Sequence, residues 1–438
     1  MDKKSNSPEL LTKMGIVFIS GSAGELDWIL PILDDLLAKS FDIKIIFLTR
    51  HARISVHKNQ MLNDYITNHS LNLDVYTCGG YFFEKIEHFS YLLHRASIKL
   101  NFKKKPILKI IYGLINKAIK KFYLMHLPLK SLNLKNKKFL FFSEYPSLRR
   151  PRDLWLKEEF DKAIFFYFPH SPHIYAEDLN INYSQPEFKN FGNKYFLLLG
   201  HPADYLMIND QRELSDPKLE KVFIGHPKYS DRWLSDLRGE SKSFRSSLLS
   251  RQSINILVLS RGSGSYLDDQ SHANLVKISM KTIDEHFNNY NLFVKKHPRE
   301  EKSHWDDLAS QYPSMNIIDD HIMKIATSVD FVISFWSSGA MDCHTIGIPV
   351  IELFDPNKHS KQQVPLGSGF TTIYRLLGIV LPASNSQELV KAISILQRNN
   401  YSLLTENPHP FYNELMSLSN DWDEKIEKIL TSHNLIKS

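Results

Sequence analysis

Glu25 closes a turn of small residues, 21–24, that directly follows an apolar, β-branched run at 15–20. The run predicts a buried strand, and apolar residues at helical spacing over 26–37 predict a helix after the turn. Open α/β sheets bind ligands at that edge, where the helix dipole favours an ionised carboxylate. Glu25 is therefore a candidate general base that removes a proton from an incoming hydroxyl. The alternative is a glycine turn in which Glu25 only caps the helix.

A second group of candidate residues follows three apolar runs in the later part of the chain, at 254–259, 292–294 and 331–334. Backbone N–H groups and hydroxyls at the amino end of a helix form an anion site, and basic side chains add donors and positive charge. These features predict a phosphate pocket that faces Glu25. Its members are Ser260, Arg261, Gly262, Lys296, His297, Pro298, Arg299, Ser337, Ser338 and Gly339. For 260–265 the alternative is a flexible loop without contact to the phosphate.

Three residues of the first half are candidates to hold the molecule that carries the hydroxyl: Gly24, Glu144 and His170. Glu144 and His170 each follow a predicted strand, and Glu144 is also a rival base or a helix cap. The neighbouring carboxylates at 268–269 and 319–320 are typical of solvated loops, so we predict no metal site. We also predict no cofactor apart from the substrates.

The elements that must position these residues alternate between strand-like and helical runs, which predicts an α/β fold with two doubly wound, Rossmann-like domains. We expect a disordered lead at 1–14, a first domain at 15–215 and a second at 216–400, with a crossover at 221–227. The strands expected in the first domain lie at 15–20, 43–48, 139–142, 163–168 and 195–199. Those expected in the second lie at 254–259, 291–294, 316–318, 331–334 and 350–353.

The composition is that of an ordinary globular protein: 438 residues, 42% hydrophobic and 23% charged. This length exceeds what one hydrophobic core organises, which agrees with two domains. The two cysteines, Cys78 and Cys343, lie far apart in the sequence, imply no disulfide framework and fit a reducing cytoplasm. No apolar stretch approaches the ~20 residues that span a bilayer, so we expect a cytoplasmic protein, either soluble or peripheral on the inner face of a membrane.

The net charge of +6 is concentrated in one segment. Between Glu87 and Glu144 the chain has no acidic residue but has Arg95 and twelve lysines. Pro106 could begin a helix whose apolar face would hold Ile107, Ile110, Ile111, Leu114, Ile115, Ala118 and Phe122. A basic amphipathic helix suits an anionic membrane surface, so residues 95–138 are a candidate membrane contact. The alternative is a helix whose apolar face packs into the core, and we expect no nucleic-acid partner.

These motifs resemble those of bacterial GT-B glycosyltransferases that use CMP-activated acidic sugars, above all the Kdo transferases. Residues 22–25 match the Ser-Val-Gly-Glu turn of those enzymes, which carries a catalytic glutamate, and 296–299 match their basic-His-Pro turn, which contacts the nucleotide. The pairs His297-Pro298 and Ser337-Ser338 are also similar to motifs of bacterial sialyltransferases and glycerophosphotransferases, where they bind the cytidylate phosphate. This chain departs from lipid A Kdo transferases at 337–342, so we expect an acceptor other than lipid A.

The resemblance implies a GT-B fold, in which two Rossmann-like domains face a central cleft and helices at 401–438 return to the first domain. It implies a metal-independent glycosyltransferase that moves Kdo or a related nonulosonic acid from CMP to a hydroxyl of a lipopolysaccharide or capsule glycan. Glu25 would be the base, and His297 would stabilise the charge on the departing phosphate. The acceptor would be a lipid-linked or free oligosaccharide.

Three other functions stay open. One is a UDP-sugar-dependent hexosyltransferase or a UDP-GlcNAc 2-epimerase-like enzyme, although such an epimerase would be expected to carry an Arg-Pro-Glu turn where this chain has 22–24. A second is a glycerophosphotransferase, against which the turn at Glu25 argues. The third is a GT-B module that binds a polysaccharide or a partner enzyme without catalysis.

Overall fold

Two parallel β-sheets, each flanked by helices, organise the chain in a computed structural model of the protein. The structure describes residues 13–69, 73–77, 81–100, 105–130, 137–145, 152–169, 192–201, 219–237, 253–264, 267–297, 303–358, 364–404 and 408–437, with single positions 132, 134, 174, 190 and 300 between them. All strand pairs within the two large sheets are parallel. The predicted class, α/β with two Rossmann-like domains, is confirmed.

The first sheet has seven strands: β1 (Met14–Ile19), β2 (Asp42–Phe47), β3 (Leu73–Thr77), β4 (Leu140–Glu144), β5 (Ile164–Phe168), β6 (Tyr195–Leu199) and β7 (Glu220–Phe223). Their order is β3-β2-β1-β4-β5-β6-β7, so the direction of chain progression reverses between β1 and β4. Every residue of β1 and β5 is buried, as expected for a parallel sheet covered on both faces. Such a reversal is a topological switch point, where open α/β sheets bind ligands.

The described helices of the first domain are α1 (Ala23–Ala38), α2 (Arg50–Lys58), α3 (Gln60–Asn68), α4 (Tyr81–Lys99), α5 (Pro106–His126) and α6 (Arg152–Glu159). Ser22 caps α1 by accepting a hydrogen bond from the N–H of Gly24. The helix therefore begins at Ala23, not at the expected residue 26, and Glu25 lies in its first turn. The expected start of α5 at Pro106 is confirmed. Among the described helices, none is long and apolar enough to cross a membrane.

The second sheet has six strands: β8 (Ile254–Leu259), β9 (Tyr290–Lys295), β10 (Met315–Ile317), β11 (Phe331–Ser334), β12 (Val350–Leu353) and β15 (Leu381–Ala383). Its order is β10-β9-β8-β11-β12-β15, so its switch point lies between β8 and β11. A hairpin of β13 (Val364–Leu366) and β14 (Gly369–Thr371) stands apart from the sheet. The helices are α7 (Asp269–His286), α8 (His304–Ala309), α9 (Ile322–Ala326), α10 (Gly339–Thr345), α11 (Ile373–Leu376) and α12 (Ser386–Arg398).

Both ends of the first domain differ from the sequence prediction. β7 pairs with β6, so the apolar part of the predicted crossover at 221–227 is the last strand of the first sheet. The boundary predicted between 215 and 216 is therefore too early, because this run completes the first sheet instead of leaving it. Met14 opens β1, which shortens the predicted lead at 1–14. Residues 1–12 and 202–218 lie outside the described residues.

Two closing helices, α13 (Pro410–Asn420) and α14 (Trp422–Ser432), follow the second domain and contact the first. The ammonium of Lys425 donates to the carbonyl oxygen of Phe223 in β7 over 2.7 Å, and Lys138 donates to the carbonyl oxygen of His433. Gly225 has φ +63°, and a Cβ there would lie 2.3 Å from the backbone nitrogen of Ser419. The chain thus leaves the first sheet through a left-handed glycine pressed against α13.

Candidate functional site

The turn after β1 surrounds the carboxylate of Glu25 with its own backbone. Glu25 is fully buried and accepts hydrogen bonds from the N–H of Ser20 over 2.7 Å and from the N–H of Gly21. A Cβ on Gly21 would lie 2.3 Å from Oε1 of Glu25, so only glycine leaves room for this carboxylate position. Glu25 therefore fixes the shape of the turn, and its role as a base stays a prediction.

A chain of buried polar groups continues from this turn across the switch point of the first sheet. The hydroxyl of Ser20 donates to Glu144 at the end of β4 over 3.4 Å, and Arg152 donates to Ser20 over 3.2 Å. The guanidinium of Arg152 is paired with Glu87 over 3.1 Å, and Glu87 accepts the hydroxyl hydrogen bond of Tyr123. Glu144 thus stands beside the Glu25 turn as predicted from its position at a strand end.

The sequence did not single out Arg152, the cation of this hydrogen-bonded series. Burial opposes the charge of Arg152, but Glu87, together with Tyr123, Asp153 and Glu144, outweighs burial and raises the pKa of the guanidinium. The one signal available was Glu87 itself, the last acidic residue before the acid-free segment. His170, the third residue predicted on this side, lies outside the described residues, and Gly24 lies in the first turn of α1.

The switch point of the second sheet brings Arg261 and Trp336 together. Arg261 follows β8 and Trp336 follows β11, and these two strands are hydrogen-bonded neighbours. The guanidinium lies 4.8 Å from the indole ring centroid and donates to the carbonyl oxygen of Trp336 over 3.3 Å. Trp336 directly precedes Ser337 and Ser338 in the chain. Arg261 and these two serines, all three predicted pocket residues, are therefore neighbours in space.

Trp336 has φ +56°, a left-handed conformation that bulky side chains rarely adopt. Such backbone strain is concentrated at functional sites, where surrounding contacts hold the residue in place. The ring packs near Phe354 and Tyr374 at centroid distances of 6.2 and 6.0 Å. Trp336 was overlooked in the sequence because a tryptophan after an apolar strand reads as core, and the strain is visible only in the backbone angles.

A buried network surrounds the carboxylate of Glu300 beside the loop at 260–262. Glu300 accepts hydrogen bonds from the hydroxyl of Ser260 over 3.0 Å and from the hydroxyl of Ser303, and more weakly from the N–H of His297 over 3.3 Å. The hydroxyl of Ser260 also contacts Nε2 of His272 and the indole N–H of Trp305. The Ser260 hydroxyl is thus turned toward protein groups, and its predicted contact with a phosphate stays a prediction.

The remaining predicted pocket residues have mixed surroundings. The ammonium of Lys296 pairs with Asp306 in α8 over 2.7 Å. Ser337 accepts a hydrogen bond from the N–H of Gly339 over 3.3 Å. A Cβ on Gly339 would lie 2.2 Å from Cδ1 of Ile322, so a larger residue here would displace the side chain of Ile322 in α9. Pro298 and Arg299 lie outside the described residues.

A buried lysine between the domains joins the two switch points. Lys228, in the 3₁₀ turn Pro227–Tyr229, lies 2.8 Å from Asp27 in α1 and 2.8 Å from Asp342 in α10. Asp27 follows Glu25 by two residues, and Asp342 follows Gly339 by three. His321, at the start of α9, also lies 2.6 Å from Asp27. The ammonium of Lys228 therefore pairs with both α1, which carries Glu25, and α10, which follows Ser337 and Ser338.

The charges of this cluster stabilise one another. Burial opposes ionisation of Asp27, but Lys228 and His321 outweigh burial and lower the pKa of Asp27 well below its usual range. Asp27 and Asp342 likewise outweigh burial and raise the pKa of Lys228. In the sequence, His226-Pro227 resembled an ordinary turn, and nothing marked the lysine after it as the link between domains.

No group of three or more His, Cys, Asp or Glu side chains in the described ranges is placed to hold a metal ion. The prediction of a metal-independent site is not tested by that observation and stays a prediction. The charged groups at the two switch points are instead the arginine, lysine and carboxylates described above. Such an arrangement can bind an anion on the second domain and hold a carboxylate across from it on the first.

No family model matches the sequence, and no curated protein matches it. Its structure is similar to UDP-GlcNAc 2-epimerase from Neisseria meningitidis bound to UDP-GlcNAc, with a TM-score of 0.54 and 11% identity over 95% of this chain and 100% of that chain. It is also similar to UDP-GlcNAc 2-epimerase from Methanocaldococcus jannaschii, with a TM-score of 0.51 and 16% identity over 95% of this chain and 99% of that chain.

A third similar structure is the wall teichoic acid polymerase TagF soaked with CDPG. The TM-score is 0.53 with 11% identity, over 97% of this chain and 90% of that chain. At these identities the similarity concerns the fold. The predicted GT-B arrangement of two parallel-sheet, Rossmann-like domains is confirmed.

Proposed function

We propose that the protein is a metal-independent GT-B glycosyltransferase that moves Kdo or a related nonulosonic acid from CMP to a hydroxyl of a lipopolysaccharide or capsule glycan. The observation that carries this proposal is the stacking of Arg261 on the strained Trp336 beside Ser337 and Ser338. The planar guanidinium suits a phosphate or a sugar carboxylate. An aromatic face beside it suits a pyrimidine ring.

In this proposal Glu25 takes the proton of the acceptor hydroxyl, whose oxygen forms a bond to the anomeric carbon of the donor. The bond between that carbon and the phosphate oxygen breaks, and its electron pair leaves with CMP. His297, Ser337 and Ser338 offset the charge that develops on the phosphate. Because Glu25 accepts hydrogen bonds from Ser20 and Gly21 in the structure, the acceptor hydroxyl would take the place of one of these donors.

Two rivals have an observation in their favour. The similarity to the two UDP-GlcNAc 2-epimerases favours a UDP-sugar enzyme, and the similarity to TagF favours transfer from a CDP-linked donor. Each rival makes a different nucleotide the best ligand of the second domain. The choice among them is therefore a binding question that can be answered before any acceptor is known.

The test is a thermal-shift panel of CMP, CDP, UMP, UDP and GDP on the purified protein. A ligand that binds the native state adds about 2.7 kcal/mol of stability at about 100 times its Kd, so we expect CMP to raise Tm most. Arg261→Ala should abolish the CMP shift, whereas Arg398→Ala, at the exposed end of α12, should retain it. A preference for UDP or CDP would favour the corresponding rival, and no shift with any nucleotide would favour the non-catalytic module.

A further inference from the structure

The antiparallel pair formed by α4 and α5, here called the α4–α5 hairpin, exposes much of the apolar surface of the protein. Eleven of the nineteen large apolar side chains exposed among the described residues lie on it, and a twelfth, Leu100, directly follows α4. They are Phe82, Phe89, Leu92, Ile98, Leu100, Ile107, Ile110, Ile111, Leu114, Ile115, Phe122 and Met125. Exposed apolar patches of this kind mark interaction sites, because single exposed residues are normal but clusters are not.

The apolar face of α5 points away from the protein core. Ile107, Ile110 and Leu114 are 74%, 63% and 64% exposed, although their spacing is that of a core-facing stripe. The opposite side of the helix holds the protein contacts, since Tyr123 is fully buried and Ile119 packs against the first-domain core. The alternative in which the predicted apolar face of this helix packs into the core is therefore wrong.

Buried contacts fix the hairpin on the first domain. The rings of Phe83 and Tyr123 meet edge to face with centroids 4.9 Å apart. The hydroxyl of Tyr123 donates to Glu87 over 2.7 Å, and Glu87 pairs with the buried Arg152. The helix that carries the exposed stripe is already packed against the first domain on its other side. The stripe is therefore not needed to complete the protein core.

Positive charge surrounds the stripe. The side chains of Arg95, Lys99, Lys105, Lys109, Lys117 and Lys121 are exposed along the hairpin. Lys120 is the exception, because it pairs with Glu158 over 2.7 Å. Residues 88–143 contain no aspartate or glutamate, so no acidic side chain of the same segment neutralises these cations.

We propose that the α4–α5 hairpin docks the protein on an anionic lipid membrane, with its apolar side chains in the acyl boundary and its cations among the headgroups. An apolar stripe flanked by lysines is the pattern of interfacial helices, and long lysine side chains reach from the acyl boundary to the headgroups. The lack of acidic residues over 88–143 matches an anionic leaflet, which attracts the exposed cations of the hairpin. A protein partner would have to be both strongly acidic and apolar over the same surface.

The test is co-sedimentation of the full chain with vesicles of phosphatidylcholine alone or with 30 mol% phosphatidylglycerol added. We expect binding to the anionic vesicles, weakening with added salt, and about tenfold or more weaker binding to the neutral ones. The double variant Ile110→Asp, Leu114→Asp should lose binding, and Lys109→Glu, Lys117→Glu should reduce it at least tenfold. Leu366→Asp and Lys277→Glu are matched controls on exposed residues of the second domain and should bind like the wild type.

The substituted residues are exposed, so the variants should keep the far-UV spectrum and Tm of the wild type, which separates lost docking from lost folding. Equal binding to neutral and anionic vesicles, or unchanged binding by both double variants, would overturn the proposal. So would a dimer that both double variants disrupt, if the wild type does not sediment with vesicles. That result would make a second copy of the chain the occupant. The outcome is independent of which nucleotide the cleft binds.

Discussion

At both switch points a buried glutamate packs against a glycine of the turn. In the first domain Glu25 accepts hydrogen bonds from the turn of Gly21, and in the second Glu300 accepts hydrogen bonds beneath the loop of Gly262. In both turns a Cβ on the glycine would come within 2.3 Å of the glutamate side chain. In each domain, the absence of a glycine side chain leaves room for a carboxylate beneath the loop.

The two glutamates differ in what holds them. The donors described for Glu25 are backbone N–H groups of the turn itself. Glu300 is held by Ser260 and Ser303, whose side chains come from two separate segments of the second domain. Glu300 therefore links two segments of the second domain, whereas Glu25 is held within a single turn.

The largest expected effect separates these two carboxylates. Glu25→Gln should lower turnover by about 100-fold or more, since a general base contributes 10²–10⁴-fold, while the CMP thermal shift stays near that of the wild type. The amide keeps the size of the side chain but cannot take the proton. Turnover measured with a CMP-sugar donor and nucleotide binding measured by thermal shift give the two readouts.

Glu300→Gln is the matched control for that experiment. It should reduce Tm and weaken nucleotide binding, because the amide has one acceptor oxygen where the carboxylate of Glu300 offers two to Ser260, Ser303 and His297. If Glu25→Gln turns over at nearly the wild-type rate, the base assignment is wrong and both glutamates only anchor turns. If Glu25→Gln loses nucleotide binding and turnover together, the base assignment is equally overturned.

The next largest effect concerns the glycines. A Cβ at Gly262 would lie 2.3 Å from Cγ, 2.7 Å from Cδ and 2.9 Å from Cβ of Glu300. Because Glu300 is itself hydrogen-bonded and buried, we expect Gly262→Ala to lower the free energy of unfolding by about 1–3 kcal/mol, as overpacking does. Gly264→Ala is the control, since a Cβ there meets nothing within 4 Å. Urea unfolding of both variants measures the difference.

At Gly21 the added Cβ would meet the flexible end of Glu25, with Oε1 at 2.3 Å and Cδ at 3.5 Å. Gly21→Ala should therefore displace the carboxylate and lower turnover more than stability. Equal losses of stability in Gly21→Ala and Gly262→Ala would remove the contrast between Glu25, held within a single turn, and Glu300, which links two segments. So would a Gly262→Ala protein as stable as Gly264→Ala.

Much of the fold could be predicted because parallel strands buried on both faces are continuous apolar runs. β6, β8, β11 and β12 have the predicted bounds, and most other predicted strands are within one or two residues. The missed strands lacked this signal. β3 (Leu73–Thr77) alternates with polar residues, and β15 (Leu381–Ala383) is three residues long and contains a proline. β7 (Glu220–Phe223) has only two apolar residues and precedes a glycine and a His-Pro pair, so the run at 221–227 resembled a crossover.

The candidate site was predictable only where one strand end carries its own chemistry. Glu25, Glu144 and Arg261 all follow strands, and the structure places each at a switch point. Arg152 and Lys228 follow no such rule, because their roles come from neighbours more than thirty residues away in the sequence, and Glu300 combines the nearby Ser303 with the distant Ser260. Pairing of distant charges depends on tertiary contact, and one sequence carries no record of it.

The smallest expected effect is a pH dependence that only the second turn should have. Burial lowers the pKa of His272 below 6.5 and outweighs the opposite effect of Glu300, whereas residues 20–25 include no histidine. As pH falls below about 6.5 the unfolded chain takes up this proton before the native state, so stability falls in that range and is complete above it. Urea unfolding at pH 5.5 and 7.5 should show a smaller difference for His272→Gln than for the wild type. His51→Gln, on the exposed side of α2, should keep the full difference. An unchanged difference in His272→Gln would mean that the native and unfolded states bind this proton equally well, which contradicts a lowered pKa of His272.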